Sequence, residues 1–223
     1  MNLAIVLATA AALPLAASVA TPAFTPVQPT LLAMAGSLSN AWADYDGDGD
    51  LDMAVTLKSG EIRLYRNDRG TLVSVGAQLG LPTTGHEFRA ISWGDYDADG
   101  RIDLFAGSSI PAKPSALFRN TPTGFRDVAA EVGLTVPGRA SRQNNWVDYD
   151  NDGDLDLFAT DRAGANRLYR NDAGRFVQAF VDAAPTDARS TVGACWIDYD
   201  RDGDLDIFLA NQSGKADVLW RND

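Results

Sequence analysis

The chain has 223 residues, 30 acidic against 19 basic side chains, a formal net charge of −11 and a single cysteine. That length is enough for a domain with a substantial core. The acid excess, with Lys and Arg scattered, argues against a nucleic-acid partner, and one cysteine excludes an intrachain disulfide. The acid is also unevenly placed, since 19 of the 30 carboxylates fall in four segments of nine residues.

The chain opens with an apolar run from Leu3 to Ala17, followed by Ser18-Val-Ala20 and Thr21-Pro. This pattern predicts a signal peptide over residues 1–20, cleaved after Ala20, and a mature domain over residues 21–223. The run contains Pro14 and falls short of the roughly 20 residues of a spanning helix, so no membrane span is expected in the mature chain. An exported protein, secreted, periplasmic or held at the cell surface, is the expectation. The next segment, Ala23-Phe-Thr-Pro-Val27, reads as a degenerate strand.

Then comes the first acidic segment, Asp44-Tyr-Asp46-Gly-Asp48-Gly49-Asp50-Leu-Asp52. It returns at residues 95–103, 148–156 and 198–206, at spacings of 51, 53 and 50. Carboxylates this close repel one another and would splay a tight turn unless a cation sat between them. Calcium suits the pattern, because it takes six to eight oxygens and alternating Asp residues around a glycine turn wrap oxygens about one point. Positions 1, 3, 5 and 9 then supply carboxylates: Asp44, Asp46, Asp48 and Asp52; Asp95, Asp97, Asp99 and Asp103; Asp148, Asp150, Asp152 and Asp156; Asp198, Asp200, Asp202 and Asp206. Position 7 is expected to give only its backbone carbonyl, which lets Arg101 stand where the other copies have Asp50, Asp154 and Asp204. Position 6 is glycine each time, as a turn with positive φ requires. About four Ca²⁺ per chain are expected. An EF-hand is excluded, since its position-12 glutamate is replaced by Val55, Ala106, Ala159 and Leu209, and apolar strand-like runs follow in place of helices.

The rest of the repeat aligns around these loops. A tryptophan stands two residues before each, Trp42, Trp93, Trp146 and Trp196, and is expected to pack between repeats. After the apolar strand come Arg63-Leu-Tyr-Arg-Asn67, Ala116-Leu-Phe-Arg-Asn120, Arg167-Leu-Tyr-Arg-Asn171 and Val218-Leu-Trp-Arg-Asn222, read as third strands. Fourth strands follow a glycine at Gly70, Gly124 and Gly174. Four short strands per period of about 50 residues predict an all-β chain, a β-propeller of four-stranded blades with one calcium loop in each of four repeats.

These motifs, D-x-D-x-D-G-x-x-D between two strands followed by L-[YFW]-R-N and G-x-F, resemble the FG-GAP/VCBS repeat of integrin alpha-like propellers. They are most similar to the bacterial and cartilage-acidic-protein type, without room for its ASPIC/UnbV domain. The resemblance covers Phe24 to Asp223 and implies that the loop aspartates bind calcium at the edge of each blade. Propellers of this family usually have about seven blades. Two arrangements are therefore open, a closed four-blade ring and part of a larger propeller. Closure would use both ends, the segment Phe24–Gln28 pairing with Val218–Asn222.

No catalytic constellation is found. His86 is the only histidine, no G-x-S-x-G is present, and few acids lie outside the loops. The function expected is a binding or adhesion module for a protein or glycan, with a polysaccharide-active enzyme or a structural fragment of a larger propeller as alternatives. Ser39, Asn40, Arg89, Arg142, Gln143, Asn144, Ser190 and Thr191, ahead of or on the inner strands, are the expected lining of the central face. Cys195, beside Trp196, is expected to be buried.

Overall fold

The computed structural model describes residues 24–110, 113–134, 136, 141–181, 183–186 and 188–223. The expected leader, residues 1–20, lies outside them. Fifteen strands are formed among the described residues, in four antiparallel sheets. The first sheet is β1 (Ser37–Ala43), β2 (Asp52–Leu57), β3 (Ile62–Asp68) and β4 (Thr71–Ser74), ordered as a simple meander. The second is β5 (Phe88–Gly94), β6 (Asp103–Ser108), β7 (Ala116–Thr121) and β8 (Gly124–Asp127). The third is β9 (Ser141–Val147), β10 (Asp156–Asp161), β11 (Arg167–Asp172) and β12 (Arg175–Ala179). The fourth has three strands, β13 (Thr191–Ile197), β14 (Asp206–Asn211) and β15 (Val218–Trp220). Every acidic segment becomes the loop between the first and second strands of its sheet, as the sequence period predicts.

One register serves all four sheets. Met53 pairs with Tyr65, Leu104 with Phe118, Leu157 with Tyr169 and Ile207 with Trp220. Because side chains alternate across a strand, this register sends Met53 and Val55 to one face of the first sheet and Ala54 to the other. Both faces are apolar, so the second strands of the first three sheets are buried on both sides and the sheets stack face to face like propeller blades. Three successive clusters fill the gaps. Ala54 and Leu64 of the first sheet pack with Leu104, Ala106 and Phe118 of the second. Phe105 and Leu117 of the second meet Leu157, Ala159 and Tyr169 of the third. Phe158 and Leu168 of the third meet Ile207, Leu209 and Val218 of the fourth. The first strands β1, β5, β9 and β13 pack in that succession.

Three of the four tryptophans that precede the loops belong to these seams. Trp146 lies edge-on to Phe105 of the preceding sheet, ring centroids 6.2 Å apart, and Trp196 does the same to Phe158 at 5.6 Å. Trp93 joins the cluster that contains Ala54. Trp42 has no sheet before it and is 51 % exposed. At the other end, Phe208 and Leu219 occupy the positions of the buried Phe158 and Leu168 yet are 40 % and 43 % exposed. Among the described residues those two faces have no neighbouring sheet.

Three expectations need correction. The closing pair does not form: Phe24 is fully exposed, residues 24–28 form no strand, and the fourth sheet ends at β15. The segment instead follows the first sheet, where the Gln28 amide bonds both the carbonyl and the N–H of Leu72 at 3.0 and 2.6 Å, and Leu31, Leu32 and Met34 cover Val55, Tyr65 and Leu72. Its apolar residues find the nearest uncovered blade face before any distant edge. Cys195 is exposed, because it points from β13 to the face that no sheet covers. The polar inner-strand residues do not simply line a channel either. Asn144 is buried and donates to the Ala90 carbonyl, Gln143 bonds both backbone groups of Ala194, and Thr191 is buried against Asn166 and Asn211. Asn144 and Gln143 thus join neighbouring inner strands where direct strand pairing is absent.

Candidate metal centre

Each loop is a turn held by its own aspartates. The glycine at position 6 has φ of 93°, 83°, 94° and 103° at Gly49, Gly100, Gly153 and Gly203, as the turn was expected to require. Position 4 is also left-handed, at Gly47, Ala98, Asn151 and Arg201, a demand the varied residue types there conceal. Position 1 acts as the turn's acceptor: Asp44 takes the N–H groups of Gly47, Asp48 and Gly49, and Asp148 those of Asp152 and Gly153. At position 5, the Asp48, Asp99, Asp152 and Asp202 side chains accept the N–H of position 7.

Position 9 ties the loop to the sheet. Asp52, Asp103, Asp156 and Asp206 are fully buried at the first residue of the second strands. One oxygen accepts the N–H of the loop tyrosine, Tyr45, Tyr96, Tyr149 or Tyr199, and the other the N–H of the third-strand asparagine, Asn67, Asn120, Asn171 or Asn222. Burial nevertheless dominates the titration of Asp52, Asp103 and Asp156. It pushes Asp103 up to about 7 and Asp156 up to about 6, and raises Asp52, Asp46, Asp97 and Asp150 as well, with neighbouring carboxylates adding to the rise. A cation among them would reverse that penalty.

The carboxylates converge. Oxygens of Asp44, Asp46 and Asp48, of Asp95, Asp97 and Asp99, of Asp148, Asp150 and Asp156, and of Asp198, Asp200 and Asp206 each lie within 4.8 Å of one another. Two oxygens that share one calcium at about 2.4 Å can be no more than about 4.8 Å apart, so each trio fits one ion. Asp97 Oδ1 and Asp198 Oδ1 are buried without a hydrogen-bond partner among the described residues, a costly condition that a metal ion removes. The donor set, all carboxylate oxygen, suits a hard ion such as calcium.

With loop, strand and register repeated in this way, comparison with known families is decisive: residues 44–106 and 148–209 match the FG-GAP-like repeat. The chain belongs to that family. Cartilage acidic protein 1 of Xenopus tropicalis is 29 % identical over 139 residues, covering 56 % of this chain and 21 % of the relative. The chain thus spans about a fifth of the length of that curated relative. No helix among the described residues is long and apolar enough to cross a membrane.

Within these FG-GAP-like repeats, the position-7 side chains lie outside the converging trios, as do Asp52, Asp103, Asp152 and Asp202. The position-7 side chains are nevertheless employed. Asp50 Oδ2 accepts the N–H of Arg69, Asp154 Oδ2 that of Ala173, and Asp204 accepts from the Asn151 amide of the preceding loop. Asp50 and Asp154 therefore fasten the turn between third and fourth strands, which a reading of position 7 as free to vary missed. Replacing Asp152 with Ala should weaken calcium binding in that loop by about tenfold or more, whereas Asp154→Ala should cost about 1 kcal/mol of stability with little change in affinity. Calorimetric titration beside urea unfolding separates the two; equal losses of affinity would contradict the ligand assignment.

The third-strand asparagine is the functional group the sequence reading left unassigned. Asn120 Nδ2 donates to the carbonyl of Tyr45 at 2.7 Å, Asn171 to that of Tyr96 at 2.7 Å, and Asn222 to that of Tyr149 at 2.8 Å, each in the loop of the preceding sheet. The Asn at the end of every L-[YFW]-R-N was the available signal. The first three acidic loops are thereby each braced by the next sheet. Asn67 has no preceding loop and donates to Leu51 of its own. Asn171→Ala should destabilise the fold by about 1 to 3 kcal/mol more than Asn67→Ala in urea unfolding, because it strands a buried carbonyl. His86, half of any catalytic argument, sits with Nε2 3.0 Å from the Pro114 carbonyl and its ring 4.6 Å from Phe88.

Proposed function

We propose that the protein is an exported, calcium-binding β-propeller module that presents a surface to a protein or glycan partner. The convergence of carboxylates at four equivalent loops, with buried oxygens left unpartnered in two of them, carries the calcium reading. When bound, the ion supplies positive charge and shared coordination that hold each loop shut. The chain's own part is to aim the oxygens: positions 1 and 3 converge with position 5 in the first two loops and with position 9 in the last two, the position-6 glycine makes the turn, and the next sheet's asparagine braces the first three loops. The apolar leader pattern and the expected abundance of calcium outside the cell support export. The FG-GAP-like repeats support an interaction role.

Calorimetric titration with calcium, using magnesium as the control, is the direct test. Binding of calcium with magnesium much weaker is expected, since seven or eight flexible oxygen ligands suit the larger ion. Absence of heat and of any shift in melting temperature would overturn the reading. The interaction role is tested by binding to glycan arrays and extracellular proteins in calcium and in EGTA, where calcium-dependent retention is expected.

The uncovered faces at Trp42 and at Phe208 and Leu219 favour a second reading of the assembly, in which this arc of sheets is completed by further blades. Sedimentation analysis of the full chain distinguishes a monomeric arc from a ring of copies.

A further inference from the structure

Three repeats share one pattern of charge, and the second breaks it twice. Position 7 is Asp50, Asp154 and Asp204 in the first, third and fourth loops but Arg101 in the second. The third strands end in Arg66-Asn-Asp68, Arg170-Asn-Asp172 and Arg221-Asn-Asp223, but in Arg119-Asn-Thr121 in the second repeat. The two changes act together. Arg66 is held by Asp68 at 2.7 Å, Arg170 by Asp172 at 2.8 Å, and Arg221 by Asp223, with Asp200 farther away at 3.7 Å. Arg119 has no carboxylate at position 121 and turns into the metal loop, where Nη2 lies 2.7 Å from Asp97 Oδ2 and 3.1 Å from Asp99 Oδ2. Arg101 Nη2 adds a third contact, 2.8 Å from the same Asp99 oxygen, while its Nε donates to the Asn120 carbonyl.

We infer that the second loop is closed by its own two guanidinium groups and holds calcium far more weakly than the other three, so that the chain fills three sites first. This rests on the calcium reading above. The loop keeps its shape: Asp95, Asp97 and Asp99 converge, Gly100 keeps its positive φ, and Asp103 makes the same two backbone bonds as its counterparts. Charge is what differs. All four loops carry the same four ligand aspartates, but in the second two guanidinium groups bond two of them. A calcium ion entering there must break three ion-pair contacts and sit close to two like charges. Affinity in loops of this kind follows ligand charge, so a loss of about tenfold or more is expected. In return, the second loop is held shut without an ion.

Native mass spectrometry and calorimetry of the full chain test this by counting ions across a calcium titration. Wild type should take up three ions in one affinity range, with the fourth at least about tenfold weaker. Arg101→Asp combined with Arg119→Gln should bring the fourth into that range. Asp50→Arg in the first loop should lower the tight count to two, and far-UV circular dichroism checks that each variant is folded. Four equivalent ions in wild type, or a double variant that stays at three, would overturn the assignment of the second loop. No binding to any loop would overturn the calcium reading itself, a distinct result.

Discussion

Adding EGTA to the calcium-saturated protein should lower its melting temperature by about 15 °C or more, the largest effect expected of any single treatment. A ligand present at 100 times its dissociation constant stabilises the folded state by about 2.7 kcal/mol per independent site, and three filled sites give about 8 kcal/mol. For a domain of this size each kcal/mol is worth about 2 to 4 °C. The structure explains why the loss should be severe. The position-9 aspartates are fully buried, that burial raises the pKa of Asp52, Asp103 and Asp156, and other carboxylates of the same loop stand close by. Without an ion, that charge must be carried or protonated at a cost. The loops also stand at the start of every second strand, so the damage would spread into the sheets. An unchanged transition in EGTA would show that the loops are closed by hydrogen bonds alone.

What the amino-acid sequence revealed was whatever repeats within one sheet. The four loops, the strands after them and the third strands were legible because polar and apolar residues alternate in a fixed phase with the aspartates. The position-6 glycines were legible because positive φ restricts residue type, while position 4 was not, because Ala98, Asn151 and Arg201 adopt it too. Contacts between sheets were mostly hidden. Asn120 and Tyr45 are 75 residues apart, and although an Asn recurs at the end of every L-[YFW]-R-N, nothing near either residue names the other as its partner. Gln143 and Asn144 looked like channel lining because a polar residue on an inner strand reads the same whether it faces water or a neighbouring backbone. The Phe24–Gln28 segment resembled an outer strand by composition, yet a few apolar residues next to an uncovered blade face settle there first. In the second loop, Arg101 could be reconciled with a carbonyl ligand from sequence alone. Only the turn of Arg119 toward the same aspartates shows that the substitution is one half of a pair.

The stacking of sheets makes a second strong prediction, one that compares two copies of the same residue. Trp146→Ala should destabilise the fold by about 3 kcal/mol, and Trp42→Ala by about 1 kcal/mol or less, in urea unfolding monitored by circular dichroism. Trp146 lies against Phe105 at 84° and against Phe176, and its indole sits so close over Gly94 that a Cβ there would lie 2.6 Å from the ring. Removing the ring opens a cavity between two sheets whose other walls, Phe105, Leu117 and Leu157, are fully buried and cannot collapse freely. Trp42 occupies the same place in its repeat but is half exposed, with no sheet before it, so its removal uncovers little. The reverse substitution probes the same seam: Gly94→Val should cost about 1 to 3 kcal/mol by forcing the Trp146 ring outward, and should cost much less in the Trp146→Ala background. If Trp42→Ala proves as damaging as Trp146→Ala, then a partner sheet covers Trp42 in solution. Repeating the measurement over a range of protein concentrations separates a second copy from a segment of the same chain, because only the former makes the loss depend on concentration.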